Sequence, residues 1–130
     1  MKRPERFPSD DPREWLNRAR SNLARARDQA AEVYLEDLCF DAQQAAEKAI
    51  KAVMIKRGID FPYIHDIARL LRLLEADGQT IPEHVDRAAG LTPYATVLRY
   101  PGFEQPVSTG AHAEAVETAK AVVRWAEEQL

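Results

Sequence analysis

The sequence predicts an all-α protein, an up-and-down bundle of four long helices plus one short or kinked helix. Apolar residues recur with helical spacing over long stretches, no stretch shows the strict alternation of a half-buried strand, and Gly and Pro stand near the expected helix ends. With 130 residues, 45% of them hydrophobic, the chain has the size of one domain with its own core. We expect a flexible arm over residues 1–10 and one bundle domain over residues 11–130.

The first helix is expected to begin near residues 9–11, where an acidic cap precedes Pro12. A break is predicted at residues 33–36, and before it the apolar face is marked by Trp15, Ala19, Leu23, Ala26, Ala30 and Val33. Between Arg13 and Arg27 the helix carries five arginines and one acid. Such a run usually forms a solvated face partly offset by neighbouring acids, and the alternative is a stripe that attracts phosphate.

The second helix, predicted over residues 37–57, should be the central helix of the bundle. Its apolar arc is wider than the arc of an ordinary surface helix, so we expect it to touch several neighbours and to take part in a homodimer. Its polar residues are expected on the opposite arc: Asp41, Gln44, Glu47, Lys48 and Lys51. Glu47 and Lys51 are one helical turn apart, which predicts an ordinary exposed ion pair.

Three further helices are predicted, and only the fourth helix of the chain is interrupted. The third is expected to open at residues 64–66, with His65 or Asp66 as its cap, and to end at residues 77–78. The fourth is predicted to be kinked or split, because Gly90 and Pro93 interrupt its pattern. The last is expected over roughly residues 112–128.

Composition and motifs exclude several classes of function. No run of about 18 apolar residues is present, so we expect no membrane span. The polar N-terminus and a single cysteine, Cys39, favour a cytoplasmic protein. A net charge of −3 argues against a general nucleic-acid coat but allows a local basic patch. There is no Gly-rich phosphate loop, HExxH or CxxC, and the three histidines fall on different elements, so neither a metal nor a cofactor is expected.

Two stretches are candidate binding sites. In residues 61–66, His65 and Asp66 at a helix start can fix the loop through backbone hydrogen bonds or can contact a ligand. In residues 94–103, Arg99 beside Tyr100 can bind phosphate while the aromatic rings stack on a base. The alternative for this second stretch is a rigid turn packed on the bundle.

The stretch CFDAQQAAEKAIKAVMIKRGIDFPYIHDIARLL, together with RYPG before a final amphipathic helix, resembles HEPN domains (higher eukaryotes and prokaryotes nucleotide-binding). The resemblance extends from Trp15 to Trp125. It implies a bundle of about five helices that is commonly a homodimer. Many members form a toxin–antitoxin-like pair with a minimal nucleotidyltransferase, and others are metal-independent ribonucleases.

Those ribonucleases carry an arginine followed four to six residues later by a histidine. Here Arg99 is present, but the nearest downstream histidine is His112, beyond the loop. The family's frequent histidine in CFHAQQ is replaced by Asp41. A proton-transfer group is worth about 10²–10⁴-fold in rate, so its loss argues against ribonuclease activity.

The resemblance therefore implies a binding module for a nucleotide, RNA or a protein partner, the accessory half of a nucleotidyltransferase pair. Its candidate contacts are Arg99, Tyr100, His65 and Asp66. One alternative is a metal-independent endoribonuclease toxin that pairs Arg99 with a histidine from the partner chain, His65 or His112. Another is a structural interaction bundle without a ligand.

Overall fold

The computed structural model describes residues 2–96, 98, 101 and 106–130. These residues form five α-helices and one 3₁₀ helix, and the described ranges contain no strand. The elements in chain order are α1 (Pro12–Ala26), α2 (Leu35–Lys56), α3 (Ile67–Ala76), α4 (Glu83–Asp86), the 3₁₀ helix (Arg87–Ala95) and α5 (Thr109–Gln129). The predicted all-α bundle is confirmed. Of the helices in this part of the chain, none has the length and apolar character needed to cross a membrane.

Helix α2 is the centre of the bundle, as its wide apolar arc predicted. It packs against α1, α5, α3 and the 3₁₀ helix. Most of its apolar side chains are almost completely buried within one chain: Leu38, Cys39, Ala42, Ala45, Ala46, Ala49, Ile50, Ala52, Val53 and Met54. The width of the arc is therefore explained by neighbours in the same chain, and it does not call for a second copy.

At several helix ends the structure contains the capping arrangement that the sequence predicts. Asp11 and Asp66 are N-caps whose side chains accept a backbone N–H of the first turn, as predicted. Ser108, which was not predicted as a cap, has the same role for α5, so this helix begins at Thr109, before the expected start near residue 112. Gly58 and Gly78 follow the ends of α2 and α3 with φ of 71° and 96°, the left-handed conformation that glycine adopts without strain. The predicted split in the fourth helix is present, because α4 passes directly into the 3₁₀ helix that contains Pro93.

The predicted extent of the first helix is wrong. Helix α1 ends at Ala26, and Ala30, which was expected on its apolar face, is exposed. The Asp28 side chain accepts a hydrogen bond from the backbone N–H of Ala30 at 2.8 Å. Such a local turn competes with the helical hydrogen-bond pattern. A prediction from the apolar spacing alone does not include this turn and therefore makes the helix too long.

The expectation that the polar arc of α2 is exposed is also wrong. Asp41, Gln44, Glu47 and Lys51 are buried, with at most 9% of each residue exposed. Helix α1 and the connection from α2 to α3 cover this side of the helix. Among the described residues, every buried side-chain nitrogen and oxygen has a hydrogen-bond partner, which is why burial of these groups is tolerated.

The N-terminal arm lies along α1. The Asn17 side chain donates to the carbonyl oxygen of Glu5 at 2.8 Å, and the Phe7 N–H donates to the Glu14 carboxylate at 2.9 Å. The Trp15 indole N–H donates to the carbonyl oxygen of Ser9 at 2.7 Å. The flexibility of residues 1–10 and the division at residue 11 stay predictions, and these contacts give the arm a defined place to dock.

Candidate functional site

The connection between α2 and α3, residues 57–66, runs back along α2. After the left-handed Gly58, the N–H of Ile59 donates to the carbonyl oxygen of Met54 at 2.9 Å, which closes the end of α2. The Gln43 side chain then donates to the carbonyl oxygen of His65 at 3.3 Å. The first turn of α3 therefore lies beside the middle of α2.

The carboxylate of Glu47 is the centre of a polar cluster at this junction. One oxygen, Oε1, accepts from Gln43 Nε2 at 3.0 Å and contacts His65 Nδ1 at 2.8 Å. The other, Oε2, accepts from Lys51 Nζ at 2.8 Å. Burial alone would raise the pKa of Glu47, but the hydrogen bonds from Lys51, Gln43 and His65 together outweigh it and lower the pKa. Glu47 is therefore ionised at neutral pH.

The imidazole of His65 is held at one nitrogen and open to solvent elsewhere. An ionised carboxylate only accepts hydrogen bonds, so Nδ1 of His65 is the donor to Glu47. In the neutral ring, Nε2 is then the acceptor. The side chain is 54% exposed, whereas that of Glu47 is 4% exposed. A ring fixed in this way can bind a polar ligand group or take up a proton at Nε2.

The ammonium group of Lys51 is engaged inside the protein. Besides Glu47, it contacts the carbonyl oxygen of Ile64 at 3.5 Å and lies over the rings of Phe61 and Trp15, 5.1 and 5.9 Å from their centroids. These two rings meet edge to face at 5.5 Å. Lys51 therefore clamps the connection to α2, and its side chain is too enclosed to meet a ligand.

The structure places only part of the predicted site. His65 lies in the cluster just described. Asp66 caps α3, since its Oδ1 accepts from the Arg69 N–H at 3.3 Å. Arg99 and Tyr100 lie outside the described residues.

Three participants were missed by the sequence reasoning: Gln43, Glu47 and Lys51. Their spacing of four residues along α2 is the signal that could have identified them, because it places three polar side chains in one line on a helix with a wide apolar arc.

One exposed aromatic side chain is close to the cluster in sequence. Tyr63, two residues before His65, is 99% exposed. The other strongly exposed tyrosine among the described residues, Tyr34, is 76% exposed and precedes α2 at its opposite end. The junction therefore offers a free aromatic ring close in sequence to the half-exposed imidazole.

His112, the other histidine predicted as a candidate for proton transfer, forms a hydrogen bond within the bundle. Nε2 of His112 lies 2.7 Å from the carbonyl oxygen of Ala26, and because a carbonyl only accepts, His112 donates and closes the end of α1. In the described ranges, no group of three or more His, Cys, Asp or Glu side chains could hold a metal ion.

The arginines of α1 are largely offset by carboxylates, as the first interpretation of this run expected. All four arginines within α1 form ion pairs, at 2.6 to 3.4 Å: Arg13–Asp11, Arg18–Glu14, Arg20–Glu127 and Arg25–Asp41. Arg27, the fifth arginine of the run, follows the end of the helix. The four paired arginines point to different partners, so α1 does not present all of them to one ligand.

Asp41, which stands where the HEPN pattern frequently has histidine, is buried between α1 and α2. Its Oδ1 accepts from Asn22 Nδ2 at 3.0 Å, and the oxygen of that amide accepts from Lys48 Nζ at 2.8 Å. Burial is the largest effect on Lys48 and lowers its pKa. This position therefore links the two helices.

Comparison with known proteins agrees with this architecture. The family model described as HEPN domain matches residues 12–129. The crystal structure of TT1696 from Thermus thermophilus is 32% identical, with a TM-score of 0.79 over 92% of this chain and 98% of that chain. The structure of ST0689, described as an archaeal HEPN homologue, is 26% identical, with a TM-score of 0.71 over 92% and 97% of the two chains. No curated protein matches the chain. The chain belongs to the HEPN family.

Proposed function

We propose that this HEPN-family chain is a binding module for a nucleotide or the end of an RNA, with its site at the α2–α3 junction. The observation that carries the proposal is the imidazole of His65, half exposed and fixed at Nδ1 by the buried carboxylate of Glu47. A side chain already held in one orientation loses little freedom when a ligand binds, and Nε2 is directed to a single position.

The exposed ring of Tyr63 supports a ligand with a base. Stacking of a base on an aromatic side chain is worth about 1–3 kcal/mol, and the ring of Tyr63 is free to accept it. Arg99 and Tyr100 remain proposed contacts, with the guanidinium of Arg99 on the phosphate. Asp66 is less favoured as a ligand contact, since its carboxylate already caps α3.

The proposed setting is a two-component pair in the cytoplasm. Membership of the HEPN family supports a nucleotidyltransferase partner, a toxin–antitoxin-type role and a second copy of this chain as partner. Light scattering of the purified protein tests the last point, and a homodimer should have twice the mass of the 14.7 kDa chain. A monomer at tens of micromolar would contradict it. Co-purification from the native host tests for the nucleotidyltransferase.

The Glu47–His65 contact also favours a second candidate function, a metal-independent ribonuclease. A carboxylate that fixes Nδ1 leaves Nε2 as a general base, the group that the sequence lacks downstream of Arg99. Incubation of single-stranded RNA with the protein distinguishes the ribonuclease from the binding module. Cleavage that is lost in His65→Gln would favour the ribonuclease, and intact RNA with measurable binding favours the binding module.

The binding proposal is tested by thermal denaturation with nucleoside phosphates and short RNAs. A ligand that binds the folded state raises the melting temperature by mass action. We expect a shift in the wild type that is reduced in Tyr63→Ala, His65→Ala and Arg99→Ala. Tyr34→Ala is the matched control, because it removes an exposed tyrosine at the other end of α2.

The size of the effect follows from stacking. Loss of a contact worth about 1–3 kcal/mol weakens binding roughly 5- to 150-fold. Equal shifts in Tyr63→Ala, His65→Ala and the wild type would place the ligand away from the junction. No shift with any nucleotide or RNA would favour the structural interaction bundle.

A further inference from the structure

A polar cavity lies between the N-terminal arm and α1. We call it the arm–α1 groove. It has a volume of about 390 Å³ and is lined by Arg3, Pro4, Glu5, Arg6, Glu14, Asn17, Arg18 and Ser21. This volume falls in the range of roughly 300–1,000 Å³ that is usual for small-molecule sites.

Specific hydrogen bonds hold the arm in the position that forms the groove. The amide of Asn17 donates to the carbonyl oxygen of Glu5 at 2.8 Å, and the N–H of Phe7 donates to Glu14 Oε1 at 2.9 Å. The guanidinium of Arg13 stacks on the ring of Phe7, 4.0 Å from its centroid. The two sides of the groove are therefore joined by side chains of α1 and by the backbone of the arm.

The charges in the groove leave guanidinium groups available. Both oxygens of Glu14 are occupied, one by the Phe7 N–H and the other by Nε of Arg18 at 2.7 Å. The Phe7 hydrogen bond, followed by that of Arg18, lowers the pKa of Glu14, which therefore stays ionised and satisfied. Within the described residues, neither Arg3 nor Arg6 has a carboxylate within 4.0 Å.

We propose that the arm–α1 groove binds a small phosphate-bearing molecule through the guanidinium groups of Arg3, Arg6 and Arg18. Planar guanidinium groups match the geometry of phosphate oxygens, and the hydroxyl of Ser21 supplies a further polar contact. The lining contains no aromatic ring, so recognition rests on the phosphate and not on a base. The proposal does not depend on the α2–α3 junction.

Isothermal titration calorimetry with two probes tests the proposal on the full chain. Inorganic pyrophosphate represents a free oligophosphate, and ribose 5-phosphate represents a phosphate ester. The test variant is Arg3→Gln/Arg6→Gln. The control is Arg27→Gln/Arg124→Gln, which removes the same charge from two exposed arginines outside the groove.

A third variant, Asn17→Ala, separates groove geometry from charge. It removes the hydrogen bond to Glu5 and leaves every charge in place. Each variant is checked for an unchanged melting temperature, which we expect because the altered side chains lie outside the buried core.

We expect the wild type to bind at least one probe at 50 mM salt. Affinity should fall at least about tenfold in Arg3→Gln/Arg6→Gln, since two charge-assisted hydrogen-bonding groups are lost. It should also fall several-fold in Asn17→Ala and remain unchanged in the control and in His65→Ala.

Three results would overturn the proposal. One is the absence of binding of either probe by the wild type at millimolar concentration. Another is an equal loss of affinity in the control, which would indicate nonspecific attraction by charge. The third is wild-type affinity in both Arg3→Gln/Arg6→Gln and Asn17→Ala.

Discussion

At the scale of single residues, Glu47 determines the properties of the α2–α3 junction. Its carboxylate joins Gln43 and Lys51 of α2 to His65 of the connection, at 2.8 to 3.0 Å. A buried ion pair contributes little to stability compared with a packed apolar pair. Removal of one partner is nevertheless destabilising, because the other charge stays buried without a counter-charge. We therefore infer that the main role of this pair is to position His65.

Glu47→Gln should lower the free energy of unfolding by about 3 kcal/mol, because the ammonium of Lys51 stays buried without a counter-charge. Glu83→Gln is the matched control, since the side chain of Glu83 is 89% exposed and lies 3.9 Å from Arg87. The control should change stability by less than about 0.5 kcal/mol. Urea denaturation of both variants measures the difference, and equal effects would contradict the role given to Glu47.

The pH dependence of this contribution follows from the lowered pKa of Glu47. A carboxyl group whose pKa is lower in the folded state binds protons more weakly there than in the unfolded chain. Its stabilising contribution is therefore complete above the ordinary value of 4.5 and is lost as the pH falls through the lower, folded value. The difference in stability between wild type and Glu47→Gln should shrink below pH 4.5. A difference that stays constant from pH 7 to pH 3 would show that ionisation of Glu47 is irrelevant.

At the scale of elements, the connection of residues 57–66 places His65 beside the middle of α2 and so forms the proposed site. Lys51, Phe61 and Trp15 clamp it against α2, and Asp66 caps the helix that follows. Stability and positioning can be separated by replacing both members of the ion pair. In Glu47→Leu/Lys51→Met, apolar packing should recover most of the stability that Glu47→Gln loses.

The same double variant should still fail to bind the nucleotide or RNA that the wild type binds. His65 then has no partner for Nδ1, so its ring is no longer fixed. Thermal denaturation gives the stability, and calorimetry gives the affinity. Recovery of both quantities would show that Glu47 does not position His65.

Asp66→Ala should destabilise the protein by about 1 kcal/mol, the usual effect of losing an N-cap. Asp66→Asn should restore most of this loss, because an asparagine oxygen can accept the Arg69 N–H equally well. Thermal denaturation of the two variants provides the measurement. If alanine and asparagine are equally destabilising, the charge of Asp66, and not its cap, is what matters.

The helices could be predicted from the sequence because their signals are local. Each of these signals acts within a few residues: the apolar spacing of α2, the cap at Asp66 and the glycines at 58 and 78. The structure contains the helix, the cap and the two left-handed glycines that they predict. The end of α1 was mispredicted because the turn at Asp28 competes with an apolar pattern that continues beyond it. The site was only partly predictable, since the contact between Glu47 and His65 depends on the path of a connection that no periodicity specifies.

At the scale of the whole molecule, the chain is a HEPN-family bundle with two polar surfaces of different character. The α2–α3 junction presents an imidazole and an aromatic ring, whereas the arm–α1 groove presents guanidinium groups without rings. The junction is built on α2 and the groove on α1, and these two helices are joined internally by Asn22, Asp41 and Lys48. The packed core therefore positions both surfaces, and the side chains at each surface are the basis for the different ligands that we propose.

The central claim is that His65 meets a ligand, and ¹⁵N–¹H NMR of the histidine side chains tests it most directly. The protein has three histidines, and the other two are internal controls: His84 lies on α4, and His112 is bonded to Ala26. On titration with the nucleotide or RNA that gives the largest thermal shift, we predict that the Nε2 resonance of His65 moves in a saturable way while His84 and His112 stay unchanged. A saturated ligand that leaves the His65 resonances in place would contradict the account.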